Sequence, residues 1–70
     1  MFNLSTTIEI SFRGRSKPLI MRVGDSGIMS KAQTKKLDGY VWSYGEPTDV
    51  YDGFSRVHLI KVNDLYQLRS

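Results

Sequence analysis

The sequence predicts one small, mainly β domain: a barrel of about five short strands with one short helix or turn. The alternative is an α+β arrangement, one helix on a four-stranded antiparallel sheet. Three observations lead there. Apolar and polar residues alternate in two stretches near the start. Gly, Pro and Asp punctuate the chain between every apolar stretch. The chain has 70 residues and no cysteine, so one modest core must hold it without a disulfide.

The elements follow in order. In "TTIEISF", Ile8, Ile10 and Phe12 point one way and Thr7, Glu9 and Ser11 the other, the pattern of a half-buried strand. "RGRSKP" reads as a hairpin loop, with Gly14 free to take a positive φ and Pro18 restricting its predecessor. "LIMRV" is the second strand, with Leu19, Met21 and Val23 on the core side, and "GDSG" is a turn. "IMSKAQTKKLDG" carries two readings. Ser30 and Gln33 have capping-box spacing and Gly39 stands where a helix of about two turns would stop. Alternatively "GIMSKA" is a strand and "TKKLDG" a hairpin loop.

"YVWSY" is rich in strand formers, with Tyr40, Trp42 and Tyr44 on one face. "GEPTDVYDG" reads as a loop. "FSRVHLIKV" reads as a strand whose apolar parity shifts between Val57/Leu59 and Ile60/Val62, so both faces are covered or a bulge intervenes. "NDLYQL" reads as one helical or 3₁₀ turn plugging the core through Leu65 and Leu68. The expected sheet residues are therefore 7–12, 19–23, 40–44 and 56–62. The expected core includes Ile10, Trp42, Val57, Leu59, Val62 and Leu65.

The run "VHLIKVNDLYQL", with Val62, Leu65 and Leu68 in a V-x-x-L turn followed by an apolar residue, resembles the closing segment of small Src-homology-3-like barrels. "VGDSGIM", Val23 to Met29, is similar to the G-D-x-G turn of the transcription-factor and ribosomal-protein versions. The resemblance implies a binding barrel that contacts nucleic acid or protein through its loops. The plasmid-borne dihydrofolate reductases of this superfamily carry V-Q-I-Y in the functional strand. This chain has Val57-His58-Leu59-Ile60 there, so reductase activity does not carry over.

Composition excludes several chemistries. Without cysteine there is no thiolate nucleophile and no cysteine zinc site. The longest apolar run, Leu19-Ile20-Met21, does not span a bilayer, and "MFNLSTTIE" lacks a signal-peptide pattern. The expectation is a cytoplasmic chain, complete in itself or a freestanding module, with no membrane partner and no cofactor. The net charge of +3 is unevenly spread: residues 1–36 hold seven bases and two acids, residues 37–70 three bases and five acids. Such asymmetry predicts a basic face that attracts polyanions or acidic partners.

Two groups of candidate site residues emerge. Arg13, Arg15 and Lys17, with Lys31, Lys35 and Lys36, form a candidate nucleic-acid surface, because guanidinium groups hold phosphate oxygens bidentately. Tyr44, Glu46, Asp49, Tyr51 and Asp52 form the alternative, a surface for a protein partner of the kind small viral and plasmid regulators engage. Core packing is the expected role of Trp42 and Phe54, whereas for Tyr44 and Tyr51, next to a polar loop, two roles stay open: core packing, or base stacking if they are exposed beside a basic strip. His58, the lone histidine, is expected to be a strand residue rather than a ligand or general base. The spacing of Glu46, Asp49 and Asp52 does not match a calcium loop. The function expected is non-enzymatic binding, with nucleic acid held weakly and without sequence preference, or a protein partner instead. No metal site is expected.

Overall fold

The alternating stretches pair as a hairpin in the computed structural model, which describes residues 6–69. Residues 1–5, on which part of the reading of the chain's start rests, and residue 70 lie outside that range. Strand β1 (Thr6–Ser11) runs antiparallel to β2 (Leu19–Val23), with Ile8 opposite Met21 and Ile10 opposite Leu19. This register buries Ile8, Ile10, Leu19, Met21 and Val23 on one face and leaves Thr7, Glu9, Ile20 and Arg22 on the other. The chain then turns at Gly24–Gly27, where the Gly27 N–H donates to the Gly24 carbonyl at 3.0 Å.

The helix α1 (Lys31–Tyr44) starts where the capping box predicts: the Gln33 N–H donates to Ser30 Oγ, and the Ser30 N–H to Gln33 Oε1. The Gln33 side-chain amide also donates to the Arg22 carbonyl at the outer edge of β2. The helix does not stop at Gly39. It runs for 14 residues and ends at Gly45, whose N–H still donates to the Val41 carbonyl and whose φ of 88° turns the following chain out of the helix. "YVWSY" is therefore helical, which corrects the strand expected over 40–44. Leu37, Tyr40, Val41 and Tyr44 recur at helical spacing, and their packing outweighs the strand preference of aromatic and β-branched residues.

The segment read as a loop contains β3 (Asp49–Asp52), which pairs with β1, Val50 opposite Ile10. Strand β4 (Ser55–Arg56) follows through a two-residue turn with Gly53 at φ 62°, the form in which glycine takes the first central position. The sheet order is β2-β1-β3-β4. The predicted strand 56–62 breaks at Val57, which is buried and donates its N–H to the Val50 carbonyl. The chain leaves the first sheet at Val57 and starts a second; the shift in apolar parity falls beyond this break, inside the unbroken stretch 58–62, where Leu59 and Ile60 are each half-buried on opposite faces and Val62 is exposed.

That second sheet is the hairpin of β5 (His58–Val62) and β6 (Leu65–Arg69). Asn63 and Asp64 both have positive φ, 51° and 64°, and join Val62 to Leu65 in a type I′ turn. The expected helical plug over "NDLYQL" is thus a strand, because a turn with both central residues left-handed matches strand twist. A single bridge, Ile28 to Gln67, ties the hairpin to the segment before α1, with the Met29 N–H on the Tyr66 carbonyl and the Leu68 N–H on the Gly27 carbonyl.

The strands do not close into a barrel. The α+β alternative describes the arrangement: α1 and the second hairpin cover the inner face of an open four-stranded antiparallel sheet. Leu37, Leu68, Met29 and Val57 meet Ile8, Ile10, Phe12 and Val50 there, with Leu59 and Tyr66 packed at the margin. Leu65 is half-buried and Val62 is exposed, because the pair flanks the solvent-facing I′ turn. Trp42 and Phe54, expected in the core, are both exposed. Trp42 occupies the outer side of α1, and Phe54 the tip of the β3–β4 turn.

Candidate nucleic-acid interface

The β1–β2 turn brings a cation onto the helix. Gly14 takes φ 84°, and the Arg15 N–H folds back to the Phe12 carbonyl at 3.3 Å. The Arg15 guanidinium then lies over the Tyr40 ring, 5.0 Å from its centroid, a cation–π arrangement. Tyr40 is held in turn by Phe12 and Tyr44, at centroid distances of 5.7 and 6.1 Å, and Phe12 meets Tyr44 at 6.0 Å. This three-ring cluster fixes the C-terminal half of α1 against the end of β1.

A groove of ≈ 360 Å³ opens between the turn and the helix, lined by Arg15, Lys35, Lys36, Gly39, Tyr40 and Tyr44. Its walls carry three cations and no acid. Arg15 Nε is shielded from solvent and has no hydrogen-bond partner, an unmatched donor at the groove wall. Lys35 and Lys36 make no ion pair among the described residues. The only acid of α1, Asp38, is taken by Lys61, whose Nζ lies 3.0 Å from one carboxylate oxygen. The hydrogen bonds from Lys61 and Tyr66 hold the Asp38 carboxyl below its usual range. Burial and the Asp38 carboxylate push the Tyr66 hydroxyl up to about 12.

Of the six candidate nucleic-acid residues, three meet in this groove. Lys31 lies one turn earlier on α1, beside a second depression that it shares with Lys35, Asp38 and Asp64. Arg13 and Lys17 stay exposed on the β1–β2 connection, outside the groove lining. Only Arg15 is drawn in, because Tyr40 offers it a ring face.

The alternative group is divided. Tyr44 belongs to the layer over the inner face of the sheet, whereas Tyr51 lies on the outer face, opposite Glu9 and Arg56. Asp49 pairs with Arg56 at 3.1 Å. Glu46 and Asp49 border a smaller cavity of ≈ 170 Å³ between the two sheets, together with exposed His58. Among the described residues no three acidic or histidine side chains converge as a metal site would need, and no helix is long and apolar enough to cross a membrane.

The sequence reading missed Gly39 and Tyr40 as groove residues. Lys36, Tyr40 and Ser43 stand four and three apart, a spacing that becomes one wall once the segment is helical. No family model, curated protein or solved structure matches this chain.

Proposed function

We propose that the protein is a non-enzymatic binding module that holds nucleic acid, without preference for base sequence, in the groove between the β1–β2 turn and α1. The observation that carries this reading is the convergence of Arg15, Lys35 and Lys36 with the Tyr40 and Tyr44 rings, free of acid. Cations track a phosphate backbone whatever its bases, and the Tyr40 ring holds Arg15 against the helix that carries both lysines. Lys31 adds to the argument. It stands first in the helix, at the positive end of the macrodipole, where a cation costs helix stability and an acid would add to it. Cytoplasmic residence belongs to the same reading, and a chain without cysteine is compatible with it.

A protein partner is the second reading. Its support is Phe54, fully exposed at the tip of the β3–β4 turn, with exposed Tyr51 on the adjoining strand.

Titration of a labelled oligonucleotide by fluorescence anisotropy at several salt concentrations tests the first reading. Replacing Arg15, Lys35 and Lys36 by Gln should weaken binding and flatten the salt slope by about 0.7–0.9 per lost phosphate contact. Equal charge removal at Arg22, Arg56 and Arg69 should leave most of the affinity. Binding that is absent at low salt, or equally weakened in both triple variants, would sink the proposal. Phe54 and Tyr51 would then be the surface to alter next.

A further inference from the structure

We propose that the nucleic acid is single-stranded, and that α1 takes one of its bases by stacking on Trp42 beside a notch left by Gly39. The inference rests on the groove reading above and adds the strandedness of the ligand and the residue that selects it.

Trp42 is 90% exposed, although tryptophan is among the most buried side chains on average. It contributes nothing to the core and makes no ring contact among the described residues. The other aromatic faces near the groove are occupied: Tyr40 carries Arg15, and Tyr44 packs on Phe12 and Tyr40. The free indole is therefore the aromatic surface on α1 available to a planar ligand.

Gly39 stands in the interior of the same helix, where glycine weakens the helix relative to alanine. Packing does not require it, because nothing lies within 4 Å of where a Cβ would sit. Its effect is on shape. Lys35, Lys36, Trp42 and Ser43 are its neighbours at four and three residues on either side, so the notch lies about one helical turn from the lysines and one from the indole, which stand about two turns apart. A strand crossing it would set its phosphates on Lys35, Lys36 and Arg15 and a base against Trp42. Asp38, one turn before Trp42, is the acid that would oppose this, and Lys61 holds it. A duplex offers its phosphates to the same lysines but keeps its base faces stacked inside, out of reach of the indole.

The chain has a single tryptophan, so its intrinsic fluorescence reports on this one side chain. The test titrates wild type with oligothymidine and with a duplex of equal length, following tryptophan emission and, in parallel, the anisotropy of labelled probes. Oligothymidine should quench the emission saturably, with the same midpoint as the anisotropy, while the duplex leaves it nearly unchanged. Trp42→Ala should weaken oligothymidine binding roughly ten-fold or more and duplex binding hardly at all. Gly39→Ala should weaken oligothymidine binding in a protein that is no less folded. Tight single-strand binding with unchanged emission, and with Trp42→Ala equal to wild type, would overturn this inference and leave the groove reading standing. Equal quenching by the duplex would overturn the strandedness alone. Absence of binding to either probe at low salt would overturn the groove reading and this inference with it.

Discussion

Replacing Gly39 by alanine tests the helix that the strand preference of "YVWSY" obscures. Gly39 is interior to α1, its φ is not positive, and an added Cβ meets no atom within 4 Å. The substitution therefore creates neither clash nor strain. Alanine is favoured over glycine in a helix interior by about 0.8–1.0 kcal/mol, chiefly because the unfolded chain loses freedom. With no opposing contact, nearly all of that should appear as stability. For a domain of 60–100 residues, ~1 kcal/mol raises Tm by roughly 4–8 °C. Thermal unfolding followed by circular dichroism at 222 nm reads this directly. Gly39→Pro is the opposite arm: it removes a helix hydrogen bond and costs about 3 kcal/mol or more, enough to unfold much of so small a domain. A Tm that falls or stays level in Gly39→Ala would mean that the chain leaves the helix near residue 39. The groove, which needs Tyr40 and Tyr44 on the same helix as Lys35 and Lys36, would fall with it.

Three further outcomes are expected. Asp64→Ala should lose about 1 kcal/mol in urea unfolding, since Asp64 sits at φ 64° and alanine tolerates the left-handed region less well than aspartate; an unchanged midpoint would refute the I′ turn. Stability should fall as pH rises from about 10 toward 12, because Tyr66, raised to about 12 in the folded protein, keeps its proton there while an unfolded tyrosine loses it. Tyr66→Phe should flatten that alkaline slope, and melts across the range that show the same slope in both proteins would refute the Asp38–Tyr66 contact. Lys31→Glu should raise stability by a few tenths of a kcal/mol through the helix dipole while lowering oligonucleotide affinity; a gain in affinity would remove Lys31 from the binding face.

Much of the first hairpin was legible because strand alternation is a local code. Ile8, Ile10 and Phe12, then Leu19, Met21 and Val23, name their own inner face without reference to anything distant. The Ser30–Gln33 box was visible for the same reason, since it is made within one turn, but it left a strand-and-loop reading of the segment open beside the helix. The end of α1 was not legible. Gly39 and the aromatic run after it argue locally against a helix, and it is Phe12 and Arg15, far away in sequence, that reward Tyr40 and Tyr44 for continuing one. Strand β3 was hidden in a loop-like segment for a related reason: "DVYD" gains its ladder from β1.

By itself the sequence determined a disulfide-free domain of short strands, the inner face of the first two, a capping-box spacing at Ser30 and Gln33 that left helix and strand both open, and Arg15, Lys35 and Lys36 as candidates among six cations. Tertiary structure alone decided that these three meet, that Arg13 and Lys17 do not join them, and that Trp42 faces solvent while Leu37 is fully buried. The physical reason is range. Alternation and capping act over a few residues, whereas the groove exists because one turn folds an arginine onto a ring that the helix presents 25 residues later. A closing contact of that span is set by the whole core that positions both sides.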